Sequence, residues 1–331
     1  EGLDSPSAKW TVTNKFASQP AKLRIQALYS AAPYDSPEAI TITDFADPAV
    51  FSQREAAEGV TAELERSADQ VKSGTASGRI SASWNGKVAE LKRSESYSLF
   101  EHGVRQTGGG TPTWAKMGTV FSPARDLSKV RAMGLWVYGD DQGEVINVQM
   151  KNPSHMVGGI ADHYVVVDFT GWRYFELIEP EGDRIDDYPW PYGGNIYALY
   201  RELVDPAHIE SFSIWVNNLP KGKSISCYLS PIKALPLVAT KLRNPSITIG
   251  GKTVTFPVTL ETGHYIEYFS ETDCKLYGSD GNLIGDVKPT GDQPTLASGE
   301  NRVAFGCEAP EGGASARAIV TVIGAEATAQ N

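Results

Sequence analysis

The chain has 331 residues, which at ~150 residues per domain suggests two domains. Hydrophobic residues make up 41% and charged residues 21%, ordinary globular usage that excludes wholesale disorder, collagen and coiled coil. Against 30 basic residues stand 40 acidic ones, for a formal net charge of −10; Lys and Arg are scattered without forming a basic patch, and this balance argues against nucleic acid as a partner.

The opening residues, EGLDSPSAKW, are polar, so no signal peptide is visible; a processed secreted chain or an excised domain has the same appearance. No run approaches the ~20 apolar residues that span a bilayer. Residues 1–37 hold one convincing strand, LRIQALY (23–29), and too little apolar surface for a domain. They read as the tail of a preceding domain or as strands added to one of the two that follow. The next stretch, PAVFSQREAAEGVTAELERSADQ, is the best helical candidate, but Gly59 interrupts it and Val60 onward can begin a strand, so it reads as mixed. Thereafter short β-branched and aromatic segments alternate with turn signals: GLWVYG, EVINVQMK, HYVVVDF, FSIWVN and SISCYL. The class is all-β, built from sandwiches. Residues 38–237 suit a jelly-roll sandwich. A proline-bearing joint follows, and residues 238–331 carry the strand rhythm of a smaller immunoglobulin-like sandwich, without its Cys…Trp…Cys pattern.

Catalytic signatures are absent: there is no GxSxG, HExxH, Walker loop or GxGxxG. TGGGTPTW (107–114) reads as a flexible loop. Carboxylates cluster in turns, where solvated surface charge is their ordinary role. His163 opens a strand and His155 lies in the loop before it; either has the chemistry of a general base, and a structural histidine is the commoner case. In EVINVQMK, Ile146, Val148 and Met150 share one face, and Asn147, Gln149 and Lys151 the other, a row suited to hydrogen-bonding hydroxyls. YPWPYGGNIYALY holds Trp190 between two prolines, with Tyr188 and Tyr192 beside it. Proline breaks strand pairing, so these rings are expected on a loop, either stacking on a sugar ring or capping the core. Trp114, after the glycine run, is a second stacking candidate. Trp136, Trp172 and Trp215 lie within strands and are expected in the core. Cys227 reads as a core strand residue. Cys274 and Cys307 share one domain and form either a disulfide or two reduced buried thiols.

FSPARDLSKVRAMGLWVYGDDQGEVINVQMKN, DHYVVVDFTGWRYFELIEPE and IESFSIWVNNLPKGKSISCYLSPIKAL together resemble galactose-binding-like jelly rolls. These occur as carbohydrate-binding modules of secreted bacterial polysaccharide-degrading proteins. The resemblance spans about residues 40–235, and residues 240–325 resemble the immunoglobulin-like accessory domains of such proteins. It implies non-catalytic polysaccharide binding, with Asn147, Gln149, Lys151 and Tyr164 on a sheet face beside His163, and Trp190 and Tyr192 at its rim. It implies a secreted, cell-surface or periplasmic location, with other domains of the same larger protein as further partners. No cofactor is expected beyond a structural calcium, for which Asp44 and Asp47 in DFADP are the candidate ligands. The alternatives are a polysaccharide lyase or glycoside hydrolase on the same scaffold, drawing on His163, Tyr164, Gln149 and Arg173, and a pair of structural spacer domains.

Overall fold

The computed structural model describes residues 7–85, 113–152, 159–178, 204–220, 222–308 and 315–324. The chain divides into two compact units, one of residues 34–236 and one of residues 1–33 with 237–331. Both are antiparallel β. Among the described residues, helix is confined to the single turns Pro48–Val50 and Pro206–His208.

In the 34–236 unit, two sheets close on one core. The larger has seven strands among the described residues, with Ala132–Asp140 paired along its whole length to Thr170–Ile178. The smaller has five, in the order Ile160–Val166, Val145–Lys151, Ile209–Asn217, Trp114–Arg125, Gln53–Ala56. The two-residue period of a strand sends alternate side chains inward. Met133, Leu135 and Val137 from the larger sheet meet Ile146, Val148, Phe212, Ile214 and Val216 from the smaller. Each such side chain contributes about 1.5–3 kcal/mol when fully buried. This packed pair of antiparallel sheets is the jelly-roll sandwich class.

The mixed segment resolves as two strands, Gln53–Ala56 and Val60–Ser67. Ala- and Glu-rich local propensity yields to pairing with Ser77–Trp84, which buries Val60 and Leu64. Gly59 makes the turn between them at φ 76°.

The other unit also has a core between two five-stranded sheets. The opening segment belongs to it. Ser7–Asn14 pairs with Gly299–Gly306, and Lys22–Ala27 lies between Tyr265–Ser270 and Ala318–Ile323. Leu23, Ile25 and Ala27 of that strand enter the core on the expected alternation. The bridge considered between Cys274 and Cys307 is not formed; both are free thiols. Cys274 lies in one sheet and Cys307 directly follows a strand of the other, each packed on the core. Burial pushes their pKa values up to about 12 and about 11, which favours the thiol over the thiolate at neutral pH.

Candidate functional site

The outward face of the smaller sheet carries the richest chemistry. Register fixes its rows. Asn147 lies between Tyr164 and Trp215, Trp215 pairs with Lys116, and Lys116 pairs with Glu55. The next row runs Asp162, Gln149, Ser213, Gly118, Gln53. Lys151 and Trp114 stand on the same face, opposite Ser211 and Asn217.

The centre of this face is polar yet covered. Asn147, Gln149, Asp162 and Ser213 are only 5%, 8%, 6% and 2% exposed. Burial at that level requires hydrogen-bonding partners. Asp162 Oδ1 accepts from both Asn147 Nδ2 and Gln149 Nε2, each at 2.7 Å. Asn147 Oδ1 accepts from the His163 amide at 2.9 Å, and Gln149 Oε1 accepts from Trp215 Nε1 at 3.2 Å. The two amides are therefore oriented, and Gln149 in turn holds the Trp215 indole. Asn147 and Gln149 form a supporting layer beneath the accessible groups.

Around that layer the half-buried rings collect. Trp114 and Trp215 lie 5.3 Å apart at 48°. The Lys116 ammonium sits 5.6 Å from the Trp215 ring and 2.8 Å from Glu55 Oε1. The hydrogen bond from Lys116, then the charges of Lys116 and Lys151, hold the Glu55 carboxyl below its ordinary pKa. Two tilted indoles, an ion pair, Tyr164 and Lys151 thus share one sheet face, a set that offers both aromatic stacking and hydroxyl recognition.

His163 does not join them. It pairs in register with Val148, points into the core, is 0% exposed, and its Nδ1 lies 2.9 Å from the Val148 carbonyl oxygen. The alternation that places Tyr164 outward places its neighbour inward. Trp136, Trp172 and Trp215, expected in the core from their strand positions, lie outside it, half-buried on outward faces. The signal was present in FSIWVN, where Phe212, Ile214 and Val216 claim the inner face and leave Trp215 the outer one. Asp162, the shared acceptor, was not singled out in the sequence either. Tyr188, Trp190, Tyr192 and His155 lie outside the described residues.

Asp44 and Asp47 serve their own turns. Asp44 Oδ1 accepts from the Ala46 amide and Asp47 Oδ1 from the Ala49 amide, both at 3.0 Å. Among the described residues no three His, Cys, Asp or Glu side chains converge as metal ligands, and no helix there is long and apolar enough to cross a membrane.

No protein-family model matches the sequence, and no curated protein matches it. Among solved structures, the chain is similar to the family 11 carbohydrate-binding module of the cellulosomal cellulase Lic26A-Cel5E of Clostridium thermocellum, at 13% identity and TM-score 0.36, over 62% of this chain and 96% of that one. It is similar to a family 30 carbohydrate-binding module at 13% identity and TM-score 0.29, over 69% and 88%. A third is a β-1,2-glucanase from Parabacteroides distasonis, at 9% identity and TM-score 0.31, over 73% of this chain and 36% of the glucanase.

Proposed function

We propose that the 34–236 unit binds polysaccharide, without cleaving it, on the outward face of its smaller sheet. The observation that carries this reading is the Trp114–Trp215 pair, partly exposed beside the Lys116–Glu55 ion pair, with the Trp215 indole oriented by Gln149. Partly exposed, pre-oriented indoles lose little entropy when a sugar ring stacks on them. The lyase alternative is less well supported, because His163, its candidate base, faces the core. A place in a larger, secreted polysaccharide-degrading protein belongs to the same reading.

The test is retention of the full chain in gels containing a neutral β-glucan, a galactan or a polyuronate, with reducing-end release measured alongside. Retention without release supports binding. Release of products moves the assignment to an enzyme, and neither effect removes a carbohydrate role.

A further inference from the structure

The larger sheet has an outward face of its own, on the opposite side of the sandwich, and it carries a second aromatic surface. The core takes Leu135, Val137, Phe175, Ile225, Cys227 and Ile80, so the residues between them point out. One row crosses five strands: Trp172, Tyr138, Tyr228, Arg79, Glu65. Tyr138 meets Trp172 edge-on at 5.5 Å and Tyr228 edge-on at 5.8 Å. Trp136 and Tyr174 extend the surface along the strands, 5.2 Å apart, with the Lys72 ammonium 4.4 Å from the Trp136 ring. All five rings are half-buried.

Cross-strand aromatic pairs stabilise a sheet wherever they occur. What distinguishes this face is the company the rings keep. From Trp136 to Asp140, and on the facing portions of the four neighbouring strands, the outward positions hold only rings, Ser, Thr, Gly and charged groups, with no aliphatic side chain. The core of a protein–protein interface is apolar and depleted in Ser and charge. Along the Trp172–Tyr138–Tyr228 row each ring has a hydrogen-bonding tip, whereas the Tyr174 hydroxyl is buried, and hydroxyls and charged groups surround the row. That is the chemistry of a polyol with apolar ring faces. The row spans about 19 Å at about 4.8 Å per strand, longer than one sugar ring. Arg79 is paired with Glu65 at 3.0 Å, and Glu63, Glu65 and Asp140 outnumber Arg79 and Lys72, so the face does not favour a polyanion.

The geometry points to a second polysaccharide platform, the Trp172–Tyr138–Tyr228–Arg79 row, on which a neutral glycan chain lies across the strands. This rests on the carbohydrate reading above and adds a second point of attachment on the same unit. Two sites on one unit raise avidity without new contacts at either.

The experiment uses the full chain with mixed-linkage β-glucan and agarose as neutral probes and pectate as the anionic one. Retention is measured for Trp172→Ala, Trp215→Ala and the double variant. On the neutral probe that the wild type binds, Trp172→Ala weakens retention by about tenfold, as loss of one stacked ring implies, and only the double variant loses it entirely. Hydroxyl-radical footprinting of the unmodified chain guards against misfolded variants. Bound glycan should protect Trp136, Tyr138, Trp172 and Tyr228. Full retention by Trp172→Ala, protection confined to the Trp114–Trp215 face, or preference for pectate overturns the second platform and leaves the first standing. Loss through Trp172→Ala alone, with Trp215→Ala unaffected, upholds this platform and overturns the first. A wild type retained by no polysaccharide overturns both.

Discussion

Trp215 depends on a residue that a solvent-exposed site would not need. Its indole N–H is received by Gln149, whose own amide is fixed on Asp162. Gln149→Ala leaves the indole N–H without its acceptor and Asp162 Oδ1 without one of its two donors, a cost of about 1–3 kcal/mol for buried polar groups. Chemical denaturation should read that loss, and retention should fall less than in Trp215→Ala. Glu144 is a different case. It is fully buried beside Asp140, and burial first, then the charge of Asp140, pushes its pKa up to about 8. The folded state therefore holds a proton that the unfolded state releases near pH 4.5. Its contribution to stability is complete below that pH and is lost as pH rises toward 8. The melting temperature should fall between pH 5 and pH 8.5 in the wild type and fall less in Glu144→Gln. An identical slope in both would show that Glu144 is ionised in the fold. Which residues face outward was legible in the sequence from alternation alone, as FSIWVN shows. The partners were not, because the Asp162 hub joins residues 13 and 15 positions away in sequence, and nothing local marks that encounter.

Strands were the most legible level. The period-two segments around Ile146, Val165, Ile214 and Cys227 all form strands in the places their patterns imply. The region around Gly59 was not, since Ala, Glu and Arg carry helical propensity and only the non-local partner Ser77–Trp84 decides otherwise. That strand also shows why one glycine is required. A Cβ at Gly78 would lie 2.4 Å from the ring of Phe45, which is itself 1% exposed and held at φ 59°. The ring cannot withdraw without opening the core, so Gly78→Ala should destabilise by about 1–3 kcal/mol. Urea unfolding checks this, and an unchanged midpoint would mean that the Phe45 pocket relaxes freely.

The sequence left residues 1–37 open between the tail of a preceding domain and strands added to one of the two sandwiches, and residues 1–33 share a compact unit with residues 237–331. A strand's partner across more than two hundred residues leaves no local trace, and Lys22–Ala27 sits between two such partners. Residues 237–331 alone should therefore fail to fold, whereas residues 34–236 alone should fold, since they hold one complete core. Circular dichroism and amide exchange of the two fragments check both statements, and a cooperatively folded 237–331 fragment would contradict the pairing of Lys22–Ala27. The central claim is that a polysaccharide stacks on the Trp114–Trp215 pair, and affinity electrophoresis of full-length Trp215→Ala beside the wild type, with thermal denaturation of both, tests it most directly. The account predicts retention weakened about tenfold or more with little change in melting temperature, because a half-exposed ring contributes far less to stability than the about 3–5 kcal/mol of a fully buried one. Unchanged retention with a large drop in melting temperature would contradict it.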